Sequence, residues 1–468
     1  MTKIIVKSTE LSSMSKLSLW PQWFTGLTIS LGILTAGLST GWTSPYLAQL
    51  TSPNVESPLM LTNSEASWVA SLLNLGRFVG AIIGALTQGI IGRKRTLVVG
   101  GCPLAIGWIC MIMAKSPFWL FVARFFSGIG GGMIWTTLSL YLGEIADPSI
   151  RGSLIFLCTN AAFIGGLLGN IMGSYLHLDQ FGYISLSFIV LFQFILIFFI
   201  PESPYHHIAN NDMERAKESL KWFKRQADIP KEIQALKDFI GSTKTDFSTR
   251  FREFCKPKNC KNTVIMCLFN IFLYFSGHNT IGYYAEIIVT KSGVNFAPGT
   301  VVIALSLCTV VAASTATIVV DKFGRKSLLI VSSLGTGCAL TLLGCHFHFL
   351  SCGFDSHDLT WLPIFALFLF NCSISYGLVP VPNALIGELF PPILKTFASM
   401  LFSGSSALLS FITARTFQPL VDIMSEKYVF WMFALSAFSV TPFTYFCVVE
   451  TKGQTLMEIQ NKADEREK

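Results

Sequence analysis

The side chains that could do chemistry in this 468-residue chain are carboxylates and basic groups that recur in the same pattern in both halves. The members of this pattern are Arg93, Glu144, Arg151 and Glu202, followed by Asp321, Arg325, Glu388, Lys395 and Glu450. Opposite charges at such positions can form ion pairs, and an exposed pair contributes about 0–1 kcal/mol. Several pairs together can shift a two-state equilibrium. The pattern therefore predicts a gate whose pairs form in one state and separate in the other.

Two interpretations of this charge pattern are open. Any single charge could simply orient the chain in a membrane and solvate a loop. Three matched sets, each present once in each half, are more than that role requires. The recurrence favours the gate.

The rest of the sequence offers no covalent chemistry. No nucleophile clusters with a base, and the glycine run Gly128–Gly132 follows no predicted strand, so it is not a dinucleotide-binding loop. Cys255 and Cys260 have no His or second Cys pair at zinc spacing. The net charge of +7 gathers in short loops. We therefore expect no enzymatic activity, no cofactor, no metal and no nucleic-acid partner.

Long apolar segments separate the charged positions. Hydrophobic residues make up 51% of the chain and charged residues only 13%, and a bilayer core takes about 20 helical residues per span. This composition predicts an all-α membrane protein with twelve transmembrane helices. The predicted spans are 24–46, 67–91, 96–114, 118–143, 153–175, 181–200, 264–290, 298–320, 327–349, 361–389, 396–421 and 428–448.

A polar block rich in Lys and Arg, from Pro201 to Asn262, divides the spans into two groups of six. Such a composition is too costly to place in hydrocarbon. Helical patterns in Asp212–Arg225 and Pro230–Ile240 predict a helical linker, and the location of the positive charges predicts that the linker and both termini are cytoplasmic. The predicted domains are an N-terminal tail (1–23), a six-helix bundle (24–200), the linker (201–262), a second six-helix bundle (263–448) and a C-terminal tail (449–468).

The two groups of spans carry the same charged segments in the same order, as a duplicated plan would. Parallel six-helix repeats with a binding site between them at the membrane midplane are typical of transporters whose halves rock against each other. Gly76, Gly80 and Gly84 recur every fourth residue, which favours close packing of helices in lipid. The sequence therefore predicts a transporter built from two bundles.

Several short segments resemble signatures of the sugar-porter branch of the major facilitator superfamily, and the resemblance extends along essentially the whole chain. They are Tyr141–Glu144 with Arg151-Gly152, Pro201–Pro204, Asp321–Lys326, Gly387–Pro391 and Glu450–Gly453. Gly41–Pro45, Ser67-Trp68 and Pro204-Tyr205 are further similar to the insect facilitated trehalose transporters. The resemblance implies the major facilitator fold, a location in the plasma membrane and a monomer. It also implies that the charged residues named above form a salt-bridge network at the inner end.

The resemblance implies a binding site, but this chain departs from the family there. Where span 7 of the family reads Gln-Gln-Leu-Ser-Gly-Ile-Asn, this chain reads Leu-Tyr-Phe-Ser-Gly-His-Asn at 273–279. Both sugar-binding Gln positions are lost, which leaves the identity of the sugar open. The predicted substrate-binding residues are Asn279, Thr159, Tyr274, Asn383 and Thr309, with Tyr283 and Tyr284 closing over the substrate.

The predicted function is facilitated, uniport movement of a hexose or trehalose by alternating access. Proton symporters of this branch are similar to one another in having an Asp in span 1, whereas the matching stretch here is Gly41–Ser44. His278 and Glu286 are the candidates that keep proton coupling open. Arg77 in span 2 is a functional candidate because an intramembrane Arg is costly. It could touch substrate, helix carbonyls of span 11 or an unidentified acidic partner.

Two alternatives of different classes stay open. The lost Gln pair allows a transporter of the same fold for a non-sugar polar solute. A non-transporting sugar sensor of this fold would be expected to signal through a long cytoplasmic tail, and a short segment follows Glu450 here.

Overall fold

The computed structural model describes residues 19–52, 59–225, 229–243, 252–355, 359–390 and 392–448, apart from the side chains of 239–243, 258, 317, 318, 320–322, 387, 388, 392, 393, 395 and 396. All the secondary-structure elements in this part of the chain are helices. Twelve of its helical segments are long and apolar enough to cross a bilayer. The prediction of an all-α membrane protein with twelve spans is confirmed.

The helices of the first half and of the linker follow one another with short connections. They are α1 (Trp20–Gly41), α2 (Thr43–Thr51), α3 (Asn63–Ile90), α4 (Arg93–Ile112), α5 (Pro117–Ile145), α6 (Arg151–Tyr175), α7 (Leu178–Phe199), α8 (Pro204–Ala209), α9 (Met213–Phe223) and α10 (Ile229–Thr243). Local sequence explains their starts. Thr62 caps α3 by accepting from the Glu65 amide while the Glu65 carboxylate accepts from Thr62, and Pro117 opens α5.

The second half has more interrupted spans than the first. Its helices are α11 (Pro257–Phe275), α12 (His278–Tyr283), α13 (Ala285–Lys291), α14 (Pro298–Phe323), α15 (Arg325–Ser351), α16 (Trp361–Ser373), a π-helical segment (Ile374–Leu378), α17 (Pro380–Leu389), α18 (Pro392–Met424) and α19 (Glu426–Cys447). The Ser332 hydroxyl donates to Ser373 O and accepts from Leu378 N, at 2.6 and 3.0 Å. It thereby satisfies backbone groups around the π segment.

Span 7 was predicted as one helix over 264–290, and the structure divides it into three. Gly277 has φ +79°, a left-handed conformation that L side chains rarely adopt. A Cβ at this position would lie 2.6 Å from the Phe433 ring. The helix therefore stops at Phe275 and restarts at His278, close to the middle of the span. Interrupted helices at membrane depth are tolerated where they border protein or a cavity.

A glycine seam joins α3 to α5. A Cβ at Gly76 or Gly80 would collide with the backbone oxygens of Phe125 and Ile129. The two helix backbones can approach this closely only because these side chains are absent. The seam fixes the depth and rotation of α3, which carries Arg77.

The linker helices pack on the first half. The Gln22 amide donates to Phe223 O at 3.1 Å and its oxygen accepts from Asp147 N at 2.8 Å. Trp222 lies 6.2 Å from the Trp20 ring. Within the linker, Leu236 of α10 packs against a small core formed by α8 and α9. The linker thus has its own core and is attached to helix α1.

Candidate functional site

The two halves meet first at the end of the bundle where α2 finishes and α3 begins, which we call the outer end. The Ser67 hydroxyl of α3 donates to Arg415 O of α18 at 2.8 Å and accepts from Arg415 Nη1 at 3.1 Å. The Arg415 guanidinium stacks over the Trp68 ring at 4.7 Å. Glu286 N donates to the Ser44 hydroxyl at 2.9 Å. These contacts hold the outer end together.

Tyr283 and Tyr284, the predicted gate pair, lie on the inner side of these contacts. Both side chains are buried. The Tyr283 hydroxyl donates to Asn74 Oδ1 of the first half at 3.2 Å. Tyr284 packs its ring 4.8 Å from Phe417 of α18. Tyr283 therefore bridges the two halves.

A second line of hydrogen bonds joins α6 to α14. Asn170 Nδ2 donates to the Ser306 hydroxyl at 2.9 Å, and the Ser314 hydroxyl donates to Asn160 Oδ1 at 2.8 Å. The first pair lies nearer the outer end and the second nearer the opposite, inner end. The α6–α14 contact thus extends further inward than the α3–α18 clamp at Ser67.

The break in span 7 places polar side chains between the halves. Asn279 Nδ2 donates to the Ser410 hydroxyl of α18 at 2.9 Å. Tyr274 and His278 are half-buried and lie four positions apart on either side of the break, with ring centroids separated by 6.2 Å. Both lie within electrostatic range of Arg77 from α3. The structure therefore brings Tyr274 of the predicted site and His278 close to Arg77 of the first half, whereas the bond from Asn279 to Ser410 lies within the second half.

The side chains of Thr159, Asn383 and Thr309, the other predicted binding residues, form hydrogen bonds away from Asn279. Thr159 donates to Ile155 O in its own helix at 2.9 Å, and Asn383 donates to Val379 O at the same distance. Thr309 donates to Asn371 Oδ1 at 3.0 Å, within the second half. Thr159 is half-buried and Asn383 is exposed. Among the described residues, none of these hydrogen bonds joins them to Asn279, so their role in binding stays a prediction.

Arg124, the other intramembrane arginine of the first half, has hydrogen-bond acceptors for three of its guanidinium nitrogens. Arg124 donates through Nε to Val69 O at 2.8 Å, through Nη2 to the Thr43 hydroxyl at 2.7 Å, and through Nη1 to Ser39 O. Its guanidinium also lies 4.7 Å from the Trp42 ring. Arg124 thus ties α5 to α1, α2 and α3 and is a structural residue of the first half.

At the inner end, charged residues of the first half form a compact cluster. Arg93 Nη2 lies 2.7 Å from Glu144 Oε1, and these side chains are only 8% and 9% exposed. The other Glu144 oxygen accepts from the Ser203 hydroxyl. Glu202 Oε1 accepts from the backbone amides of Arg93 and Lys94, each at 2.9 Å, at the N-terminus of α4. A carboxylate is stabilised there by free amides and the helix dipole.

The rest of the predicted network is described only in part. Arg151 begins α6, is exposed and donates to Ala146 O at 3.3 Å. Arg325 begins α15. The side chains of Asp321, Glu388 and Lys395, and residue Glu450 as a whole, lie outside the described part of the chain. The Arg93–Glu144 pair lies within one half, so pairing between the halves stays a prediction.

Sequence reasoning missed the polar partners that join the halves. Asn74, Asn160, Asn170 and Ser410 each make or receive a hydrogen bond across the interface or within the second half near Asn279. A signal was available, because an Asn within an apolar span is costly unless it finds a partner. The identity of each partner depends on how the halves dock.

Comparison with known proteins agrees with this architecture. The family described as "Sugar (and other) transporter" matches residues 25–463. The chain is 30% identical to the facilitated trehalose transporter Tret1 of Bombyx mori over 454 residues, which are 96% of this chain and 88% of that protein. It is also 30% identical to Tret1 of Drosophila virilis over 446 residues, 95% of this chain, but spans only 49% of that longer relative.

A solved structure shares the fold at lower sequence identity. The inward open conformation of the xylose transporter XylE from E. coli superimposes with a TM-score of 0.76 at 21% identity, covering 94% of this chain and 99% of XylE. The likeness shows the arrangement of two six-helix bundles. Since the family match extends over most of its length, this chain belongs to the sugar transporter family of the major facilitator superfamily, a family of multi-pass membrane transporters rather than enzymes.

Proposed function

We propose that this protein is a facilitative sugar transporter that moves a hexose or trehalose across the plasma membrane by alternating access. The observation that carries the proposal is the interrupted span 7. Tyr274 and His278 flank the α11–α12 break within electrostatic range of Arg77 of the first half, on the inner side of the bond between Tyr283 and Asn74, and we infer that the adjacent Asn279 faces the same solute. A solute bound there is separated from the outer end by the interhalf contacts.

The hydrogen-bonding groups in this region suit a polyhydroxylated solute. An amide such as that of Asn279 can both donate and accept, and tyrosine and histidine add an apolar face and a polar edge. Sites for small solutes combine such apolar surfaces with a few placed polar groups. The names of the curated relatives point to the same solute class, trehalose.

Uniport rather than proton coupling is supported by the surroundings of Arg124. The family's symporters resemble one another in placing an Asp in span 1, where this chain has Thr43. The Thr43 hydroxyl accepts from Arg124 Nη2 at 2.7 Å. A threonine hydroxyl does not ionise at neutral pH, so Thr43 cannot take up and release a proton in the way that a carboxylate at this position could.

Transport would then follow from a change in which end is closed. The present arrangement has the outer end held by Ser67, Arg415 and the Tyr283–Asn74 bond. We infer that the state closed at the inner end uses the predicted charged network, with the linker and both termini on the cytoplasmic side. One chain supplies both halves of the site, so a monomer suffices.

The proposal is tested by uptake of radiolabelled glucose, fructose and trehalose into proteoliposomes, with and without an imposed proton gradient. We expect saturable uptake of at least one sugar that equilibrates rather than accumulates and does not depend on the gradient. Asn279→Ala should reduce this uptake at least tenfold. The matched control is Asn210→Ala, since Asn210 lies in the linker and bonds His206.

Two outcomes would contradict the proposal. Accumulation that requires the gradient would show proton coupling and would direct attention to His278 and Glu286. Absence of uptake of every sugar, by protein that unfolds cooperatively, would favour a non-sugar polar solute or a sensor of this fold.

A further inference from the structure

Arg77 differs from the other two arginines within the spans. It lies at the midpoint of α3, a 28-residue helix, and is half-buried. Arg124 and Arg415 each have hydrogen-bond acceptors and an aromatic ring beneath the guanidinium. Among the described residues, Arg77 has neither a hydrogen-bond acceptor nor a carboxylate partner. A cation held in this way at membrane depth is costly.

The neighbours of Arg77 are neutral or basic side chains from the other half. Tyr274 and His278 of span 7 lie within electrostatic range of its guanidinium. The acidic residues of the second half sit near the ends of their helices, as do Glu286, Asp422 and Glu426 at the outer end. The middle of the interface therefore carries a fixed positive charge and no opposite charge on the described residues.

Two further polar groups in this region lack partners. Asn74 lies one turn from Arg77 on the same face of α3. Its Nδ2 is buried and has no hydrogen-bond partner in the described part of the chain, although its Oδ1 accepts from Tyr283. The Thr280 hydroxyl of α12 is equally buried and unpartnered there. An unmet buried donor is costly. The interface thus offers an excess of donors.

Close packing of α3 against α5 prevents the α3 backbone at Arg77 from shifting toward a hydrogen-bond partner. A Cβ at Gly132 of α5 would collide with Arg77 O. The α3 backbone is therefore held against α5 at this residue, which fixes the depth at which the Arg77 side chain leaves the helix. A guanidinium presents donors in a planar fork that matches a carboxylate or phosphate in a bidentate arrangement.

We propose that the preferred substrate carries an anionic group, and specifically that it is a sugar acid whose carboxylate binds Arg77 while its hydroxyls reach Asn279, Tyr274 and His278. This inference rests on the proposed function and narrows its substrate class. A hydrogen bond between charged partners is about twice as strong as one between neutral groups. A neutral sugar leaves the charge of Arg77 unmatched, whereas a carboxylate neutralises it.

The test compares two sugars that differ at one carbon. Glucuronate carries a carboxylate where glucose carries a CH2OH group, and glucosamine supplies a cation as a third probe. We expect the uptake efficiency, Vmax/KM, to be at least tenfold higher for glucuronate than for glucose and lowest for glucosamine. Glucose 6-phosphate is a separate arm, because a phosphate ester would present the same kind of anion to Arg77.

Substitutions of Arg77 assign the preference to its charge. In Arg77→Gln, which keeps donors but removes the charge, the ratio of glucuronate to glucose uptake efficiency should fall to one or below. In Arg77→Lys, which keeps the charge and loses the planar fork, the ratio should be intermediate. An unchanged ratio in Arg77→Gln, or a preference of the unsubstituted protein for glucose, would overturn the inference. A preference for glucose 6-phosphate over glucuronate would overturn the assignment of a sugar acid and identify a sugar phosphate as the preferred substrate class.

A second measurement needs no variant. Movement of an anion without a coupled ion carries charge, so glucuronate should accumulate about tenfold inside vesicles held about 60 mV positive inside, while glucose distributes equally. Equal distribution of glucuronate under this potential would overturn uniport of the anion. Uptake of neutral sugars alone would defeat only this inference, whereas the absence of any sugar uptake would defeat the proposed function as well.

Discussion

The Tyr283 hydroxyl donates to the Asn74 side-chain oxygen at 3.2 Å, and this bond joins the second half to the first directly beyond Arg77. Both side chains are buried, so the bond is shielded from competing water. It lies on the outer side of His278, which is within electrostatic range of Arg77 of α3. Opening of the outer end must break it.

Tyr283→Phe should therefore favour opening of the outer end. Losing one hydrogen bond costs about 1 kcal/mol, which corresponds to an approximately fivefold change in the opening equilibrium. Hydrogen exchange of the α12 and α13 amides, measured by mass spectrometry, should become about fivefold faster.

Tyr46→Phe is the matched control for this substitution. The Tyr46 hydroxyl donates to Leu176 O at 2.8 Å, a bond within the first half. Its loss should affect exchange in α2 and α6 and leave α12 unchanged. Equal acceleration at α12 by both variants would show that the Tyr283 bond is not specific to the closed outer end.

Gly277→Ala should destabilise the break in span 7 and reduce transport. A left-handed conformation costs an L-residue about 1–2 kcal/mol, and the added Cβ would also press on the Phe433 ring. Gly282→Ala is the control, because a Cβ at Gly282 meets no atom within 4 Å. Thermal unfolding of the purified protein should shift downward for the first variant and remain near the original value for the second. Equal midpoints would contradict the assigned strain.

Arg93→Met should destabilise the first half strongly because it leaves the Glu144 carboxylate buried without its partner. Removing one member of a buried pair costs about 3–5 kcal/mol. The double variant Arg93→Met/Glu144→Gln should recover a large part of this loss. The measurement is thermal or denaturant unfolding followed by the fluorescence of the protein's tryptophans.

The exposed pair formed by Lys217 and Glu214 in α9 provides the comparison. Its side chains are 47% and 84% exposed, with a distance of 3.0 Å. Lys217→Met should cost no more than about 0.5 kcal/mol. A loss of stability as large as that of Arg93→Met would mean that burial does not determine the importance of these pairs.

Acidification should loosen the linker at His206. Burial lowers the pKa of His206 below its ordinary value of 6.5, and Arg93, His207 and Arg95 lower it further, against the opposing effect of Glu202. The folded linker therefore binds fewer protons than the unfolded one in this range. The contribution of His206 is complete above about pH 6.5 and is lost as the pH falls below that value.

Limited proteolysis of the linker between pH 7.5 and 5.5 measures this effect. Cleavage within α8 and α9 should accelerate toward the lower pH in the unsubstituted protein, and His206→Gln should remove most of that dependence. His177→Gln, at an exposed residue between α6 and α7, should leave it in place. A pH dependence that survives His206→Gln would assign the effect to another group.

The sequence predicted the membrane class and the number of spans because hydrocarbon imposes a strict requirement. A backbone in lipid must satisfy its own polar groups, so a long apolar segment there is helical. The linker helices were predicted from the periodicity around Asp212–Arg225 and Pro230–Ile240, and the structure has α9 and α10 at those places. Helices α1 and α4 begin four and three residues before the predicted spans, because Trp20 packs against Trp222 and the amide of the buried Arg93 donates to Glu202 Oε1.

The break at Gly277 and the contacts between the halves were not predictable in this way. A glycine within an apolar span fits equally well into a continuous helix, and only the packing of Phe433 and the left-handed backbone reveal the interruption. Likewise, Asn74 and Tyr283 are 209 positions apart in the chain. Their meeting depends on the docking of two bundles. The sequence also does not reveal that Arg124 has hydrogen-bond acceptors, whereas Arg77 has none among the described residues.

The attachment of the linker to α1 has a consequence for how the protein can be divided. The Gln22 amide donates to Phe223 O, Trp20 contacts Trp222, and α10 packs on α8 and α9, so the described linker helices are attached to the first half. A gene split after position 243 would yield two polypeptides, and the earlier one would retain the linker helices α8, α9 and α10. Such fragments offer a route to label one bundle at a time, with assembly in the membrane replacing the covalent connection.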